Sequence, residues 1–132
     1  MLKWLSFNAL GTYLFTRFRG ELVGQDELGN RYYRERPVKG GLNREDWRAE
    51  RRWVVYPEGV EPEPTLVPPG WSGWLHKRFA EPPTVAPLKV KSWEKPPEPN
   101  QTGTPFAYVP PGSERGRGQR DKATGDYEAW TP

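Results

Sequence analysis

The chain has 132 residues, room for about one domain, with a formal net charge of +3, no cysteine and a single histidine. Those counts exclude disulfides, a thiolate metal site, a thiol nucleophile, a histidine-cluster metal site and a two-histidine acid–base pair. The sequence pI near 9.3 permits nucleic acid or an anionic membrane as a partner without demanding either.

Leu, Val and Phe together supply 24 residues, there is no Ile, and Gly plus Pro supply 30. That is less aliphatic material than a self-sufficient core normally uses. Yet 7 Trp, 6 Tyr and 5 Phe are far more aromatic than disordered chain. The balance predicts a small α+β protein of low regular content, anchored by aromatics and ordered by packing onto something else. No apolar run approaches the roughly 18 residues of a transmembrane helix.

Residues 2–19 (LKWLSFNALGTYLFTRFR) come first. At helical spacing, Trp4, Phe7, Gly11, Leu14, Phe15 and Phe18 fall on one stripe, with Thr12, Thr16 and Arg19 opposite. Lys3, Arg17 and Arg19 are basic, no acid precedes Glu21, and Gly20 is a helix stop. Three roles fit: a helix covering the chain's own small core, a helix docked on a membrane surface or membrane-protein partner, or a cleaved targeting peptide. A secretory signal fits poorly, because no compact apolar stretch ends in a small-residue cleavage site.

Residues 20–79 read as a small β-containing body. Residues 21–24 (ELVG) are strand-like, residues 25–30 a polar turn in which Gly29 and Asn30 can take positive φ, and residues 31–36 (RYYRER) the second arm of a hairpin. Residues 43–50 suggest one or two helical turns with Asn43 as N-cap. Residues 51–56 (RRWVVY) form the best strand, with Trp53 and Val55 on one face and Val54 and Tyr56 on the other. Three short antiparallel strands need a helix or partner across one face. Trp71 and Trp74, around Ser72-Gly73 and after Pro68-Pro69-Gly70, form a rigid amphipathic knob. It serves either as the lid of the core or as a contact hot spot. His76 is expected to be structural, since no partner nucleophile or metal ligand accompanies it.

Residues 80–132 hold ten of the sixteen Pro and seven basic against seven acidic residues. Such chain is pre-extended and cannot build a core. Trp93, Phe106, Tyr108, Tyr127 and Trp130 recur along it, which favours an extended partner-binding tail, its aromatics filling pockets on a larger protein, over a disordered one. There is no GxxxxGK[ST] loop, no GxGxxG after a strand and no HExxH, so no catalytic, cofactor-binding or metal residues are expected. The single Gly-Arg-Gly at 116–118 is weak grounds for RNA binding.

Several elements together resemble the NDUFA-twelve-like accessory subunits of respiratory complex I, the NADH:ubiquinone oxidoreductase. They are Leu22-Val23-Gly24 with Gly29-Asn30-Arg31-Tyr32-Tyr33, then Arg52-Trp53-Val54-Val55-Tyr56, and the run from Val67 to His76 (VPPGWSGWLH). The tail adds Pro99 to Pro105 (PNQTGTP) with Ala107-Tyr108, and Gly125 to Pro132 (GDYEAWTP), which resemble the alphaproteobacterial branch. The resemblance implies a non-catalytic subunit without cofactors, stabilising the peripheral arm near its junction with the membrane arm. It implies an N-terminal helix at the membrane surface, through Trp4, Phe7, Phe15 and Phe18, and a tail running over core peripheral-arm subunits. Trp71, Trp74, Phe106, Tyr108, Tyr127 and Trp130 are the further partner-binding candidates. The implied place is the cytoplasmic side of a bacterial inner membrane, or the matrix side of the mitochondrial one, with neither nucleic acid nor a second copy as partner. Alternatives are a transient complex I assembly factor, whose place in the family the closing tail motifs disfavour, and a small basic RNA-binding module.

Overall fold

The computed structural model describes residues 7–37, 46–123, 125, 127 and 129–131, with the side chains of residues 7 and 8 excepted. The order is helix α1 (Phe7–Arg19), strands β1 (Gly20–Gln25), β2 (Arg31–Glu35) and β3 (Arg52–Val55), a 3-10 turn (Pro64–Leu66) and helix α2 (Pro69–Leu75). The strands form one antiparallel meander, β1-β2-β3. Trp4 and the Asn43 cap lie outside the described residues. Where a helical turn was expected, the described part holds a simple turn, Ala49 N–H donating to Asp46 O at 3.1 Å.

The β1–β2 turn is organised by one carboxylate. Asp26 Oδ1 accepts from the backbone N–H of Leu28 and Asn30, both at 2.9 Å, while Oδ2 accepts from Asn30 Nδ2 at 2.8 Å and Tyr32 Oη at 2.7 Å. Gly29 takes φ +87°, the left-handed conformation expected of it, but Asn30 does not. Asn30 is buried instead, and its second amide hydrogen goes to Leu66 O at 3.0 Å, tying the hairpin to the 3-10 turn. A buried amide with both donors satisfied fixes geometry rather than adding net stability.

The register slips by one residue between Leu22 and Gly24. This bulge turns both Val23 and Gly24 toward the face that carries Tyr32 and Val54, where alternation would have allowed only one of them. That face holds the core: Tyr32, Trp71 and Trp74, 0%, 5% and 1% exposed, with Val23, Val54, Val67 and Leu75 packed around them. The Trp71 indole stacks on the Tyr32 ring at 4.0 Å and 3°, and Trp74 meets Trp71 edge-on at 5.7 Å. Gly24 makes room for the stack; a Cβ there would lie 2.8 Å from the Trp71 ring. The two tryptophans are therefore the lid of the chain's own core.

Helix α2 is short, with Pro at its first turn and no side-chain N-cap. Its C-terminus closes through Arg78 N–H to Gly73 O at 2.9 Å and Lys77 N–H to Trp74 O at 3.1 Å. Lys77 sits at φ +57°, the position that usually takes glycine. Arg52 staples the same end: Nη1 donates to Trp74 O and Phe79 O at 2.8 Å, Nη2 to Ala80 O at 3.2 Å, and Nε to Glu50 at 2.9 Å. Its guanidinium lies 4.5 Å from the Trp74 ring centroid, with its side chain 1% exposed.

Packing continues past residue 79. Pro83 lies against Gly70 and Thr84 against Gly24. The chain divides into two compact units, residues 1–99 and 100–132. Beyond α2 the described residues form turns and irregular chain, with neither helix nor strand. Among the described residues no helix is long and apolar enough to cross a membrane.

Two outcomes follow from the core. Gly24→Ala should destabilise the protein by about 1–3 kcal/mol, by overpacking against Trp71. Gly11→Ala, in open space on α1, should stabilise by up to about 1 kcal/mol. Denaturant titration reads both. Burial, and next the Asp26 hydrogen bond, hold the Tyr32 phenol far above its ordinary value. In unfolded chain that phenol ionises near pH 10. The folded state keeps its proton, so stability is intact below about pH 10 and falls as pH rises beyond it. The denaturation midpoint should drop there, and Tyr32→Phe should make the drop shallower.

Candidate partner interface

Helix α1 lies on the sheet face opposite the core, and it does so through its more polar side. Trp53 Nε1 donates to Thr16 Oγ1 at 2.9 Å, and Phe15 packs on the Trp53 ring at 5.1 Å. Arg19 pairs with Glu35 at 2.9 Å, and Arg36 N–H donates to Arg19 O at 2.8 Å. Gly20 permits the closeness, since a Cβ there would meet Thr16 O at 2.5 Å. With its polar side so engaged, α1 turns Leu10, Leu14 and Phe18, at i, i+4 and i+8, to the outside. Phe18 is 71% exposed.

The helix covers only one end of this sheet face. Between α1 and the segment after β3 an open groove of about 740 Å³ remains. Tyr13, Thr16 and Arg17 form its helical wall; Leu22, Tyr33, Arg31 and Val55 its floor; and Pro57, Val60 and Pro62 its far wall. Arg36 also borders it, and no described carboxylate lines it. Tyr56, on the same wall, has its phenol raised by burial and next by the Glu63 charge. On the core side of the sheet the Arg34 guanidinium is raised chiefly by its hydrogen bond to Glu21.

In the unit of residues 100–132, the TGTP run forms a turn. Thr102 N–H donates to Asn100 Oδ1 at 3.0 Å, Thr104 N–H to Gln101 O at 3.0 Å, and Gly103 takes φ +81°. Phe106, Tyr108, Tyr127 and Trp130 are all exposed.

The candidate residues thus separate into two groups. Trp71, Trp74 and Phe15 are engaged inside the chain, the first two as its core and the third beneath α1. Phe18 and the four aromatics of the second unit face outward. Phe7 begins α1, its side chain outside the described residues, as is all of Trp4. Leu10, Tyr13, Arg31 and Arg36 were not singled out from sequence, whereas Arg17 was, as part of the basic flank of α1. The alternation of residues 31–36 does place Arg31 and Tyr33 on one face, and that was the available signal. No described group of three His, Cys, Asp or Glu could hold a metal. His76 sits on exposed chain, its Nδ1 2.8 Å from Ser72 O, an oxygen that can only accept.

Comparison with known proteins identifies the family. A family profile described as NADH ubiquinone oxidoreductase subunit NDUFA12 matches residues 20–132, the sheet, α2 and the second unit. NADH dehydrogenase [ubiquinone] 1 alpha subcomplex subunit 12 of Dictyostelium discoideum is 35% identical over 92 residues, 70% of this chain and 61% of that protein. The subunit of the same name from Bos taurus is 35% identical over 100 residues, 69% of this chain and 63% of its own length. Subunit N7BM of Yarrowia lipolytica is 30% identical over 109 residues, 80% and 71% of the two chains. The chain thus spans about three-fifths of the length of the first two relatives. On the extent of that match, the chain belongs to the NDUFA12 subunit family of NADH ubiquinone oxidoreductase.

Proposed function

We propose that the protein is a non-catalytic accessory subunit of respiratory complex I that stabilises the peripheral arm near its junction with the membrane arm. It lies at the inner membrane, on the cytoplasmic side in a bacterium or the matrix side in a mitochondrion. Family membership supports the complex. The observation that carries the rest is the orientation of α1: its polar side is engaged by the sheet, so its apolar row is left for something outside. A row of Leu10, Leu14 and Phe18 beside Arg17 suits an interface between apolar chains and anionic headgroups. The exposed aromatics of residues 100–132 supply anchors for core subunits. The RNA-binding alternative gains little, because the tail's basic and acidic residues balance seven to seven.

The double variant Leu14→Asp/Phe18→Asp tests this. Neither side chain packs in the core, so the body should stay folded. Burying each large apolar side chain is worth about 1.5–3 kcal/mol, so membrane and complex association should weaken at least about a hundredfold. Purification from gentle detergent extracts, with mass spectrometry of the co-purifying subunits, reads the result. Full occupancy of the variant in the complex would refute the role given to α1.

A further inference from the structure

The groove beside α1 joins an apolar floor to a rim of arginines. On the sheet face under α1, the helix covers Trp53, Glu35 and Gly20, leaving Leu22, Tyr33 and Val55 as an apolar floor. Leu22 is 57% exposed there, a large apolar residue left open on a strand. Three arginines border this floor. Arg31 stands at one end of β2, and Arg36 follows its other end. Arg17 leans in from the last turns of α1. Several other arginines of the sheet are paired: Arg19 and Arg51 with Glu35, Arg34 with Glu21, and Arg52 with Glu50. Arg17, Arg31 and Arg36 are exposed and make no ion pair among the described residues.

Arginine forks match phosphate oxygens. Four of the groove's features together select its occupant: an apolar floor, a cationic rim, no described carboxylate, and direct continuity with the outward row of α1 through Tyr13 and Arg17. We infer that the groove seats one phospholipid with an anionic headgroup, its phosphate held by arginine at the rim and an acyl chain along Leu22, Tyr33 and Val55. A cavity of about 740 Å³ is in the range of small-molecule sites and takes part of such a lipid, the remainder continuing past Tyr13 along the helix. An acidic protein segment would meet the same arginines, but most of the groove floor and far wall would offer its backbone no hydrogen-bonding partner.

This inference rests on α1 lying at the membrane surface, and the two can be tested apart. The full-length chain is mixed with vesicles of phosphatidylcholine alone, or of phosphatidylcholine doped with phosphatidylglycerol. Co-sedimentation is measured, followed by native mass spectrometry of protein released into mild detergent. The unmodified chain should prefer the doped vesicles and retain one phosphatidylglycerol. Arg31→Gln/Arg36→Gln alters only exposed side chains, so it should fold normally. It should lose the retained lipid and most of the headgroup preference while still binding vesicles. Leu14→Asp/Phe18→Asp should lose vesicle binding altogether. Retention of phosphatidylglycerol at full stoichiometry by the Arg31/Arg36 variant would overturn the groove assignment and leave the surface helix standing. Equal binding of both vesicle types by the unmodified chain, with no retained lipid, would overturn it as well, and would point to an acidic partner segment. Undiminished vesicle binding by the Leu14/Phe18 variant would instead overturn the surface helix.

Discussion

The indole of Trp71 lies flat on the ring of Tyr32, 4.0 Å away, with no side chain on Gly24 to hold it off. A chain without isoleucine and with only ten leucines and nine valines cannot build its body from aliphatic layers. A single aromatic stack does that work. Tyr32 is fixed by its hydroxyl on Asp26, and Asp26 by the turn it organises. Trp71 brings α2, α2 brings the carbonyls that Arg52 grips, and Arg52 brings β3. Few of these contacts are redundant. Deleting a buried Trp typically costs about 3–5 kcal/mol, a large part of the stability of a domain this size.

The same economy explains why the surface of the body is apolar where it is. Thr16, Phe15 and Arg19 hold α1 to the sheet. A helix fixed through a polar side has no interior for its apolar row. Elsewhere this would be a solubility problem. On the proposed function it is a surface that neighbours in the complex would cover, and the exposed aromatics of residues 100–132 have the same character.

Much of this was legible beforehand. The alternation in RYYRER gave β2, RRWVVY gave β3, and Pro-Pro-Gly before two tryptophans marked a knob without showing it to be the helix α2, because period and punctuation are local properties. The NDUFA-twelve resemblance also rested on those residues. Other features were not local. Trp71 and Trp74 could as well have been interface anchors, since burial against a sheet and burial against a partner use the same side chains. Asn30 looked like a turn residue and is a buried one, because its partner Leu66 lies 36 positions away. Arg52 looked like one of several arginines, and only the fold collects Trp74, Phe79 and Ala80 around it. The helical stripe was visible, but not which side of α1 would meet the sheet. Phe15 went inward with the threonines, and Leu10 and Leu14 went out.

The slip in register at Val23 reaches beyond the core it feeds. Strand β1 is an outer strand of the meander, and an outer strand with straight, unpaired backbone invites another chain to add to it. The bulge lies on β1, between Leu22 and Gly24. It interrupts the repeat of donors and acceptors and increases the local twist, so a second copy arriving edge to edge finds no continuous ladder. The β1 edge of a chain with its apolar row and aromatics uncovered is thereby a poor template for edge-to-edge growth.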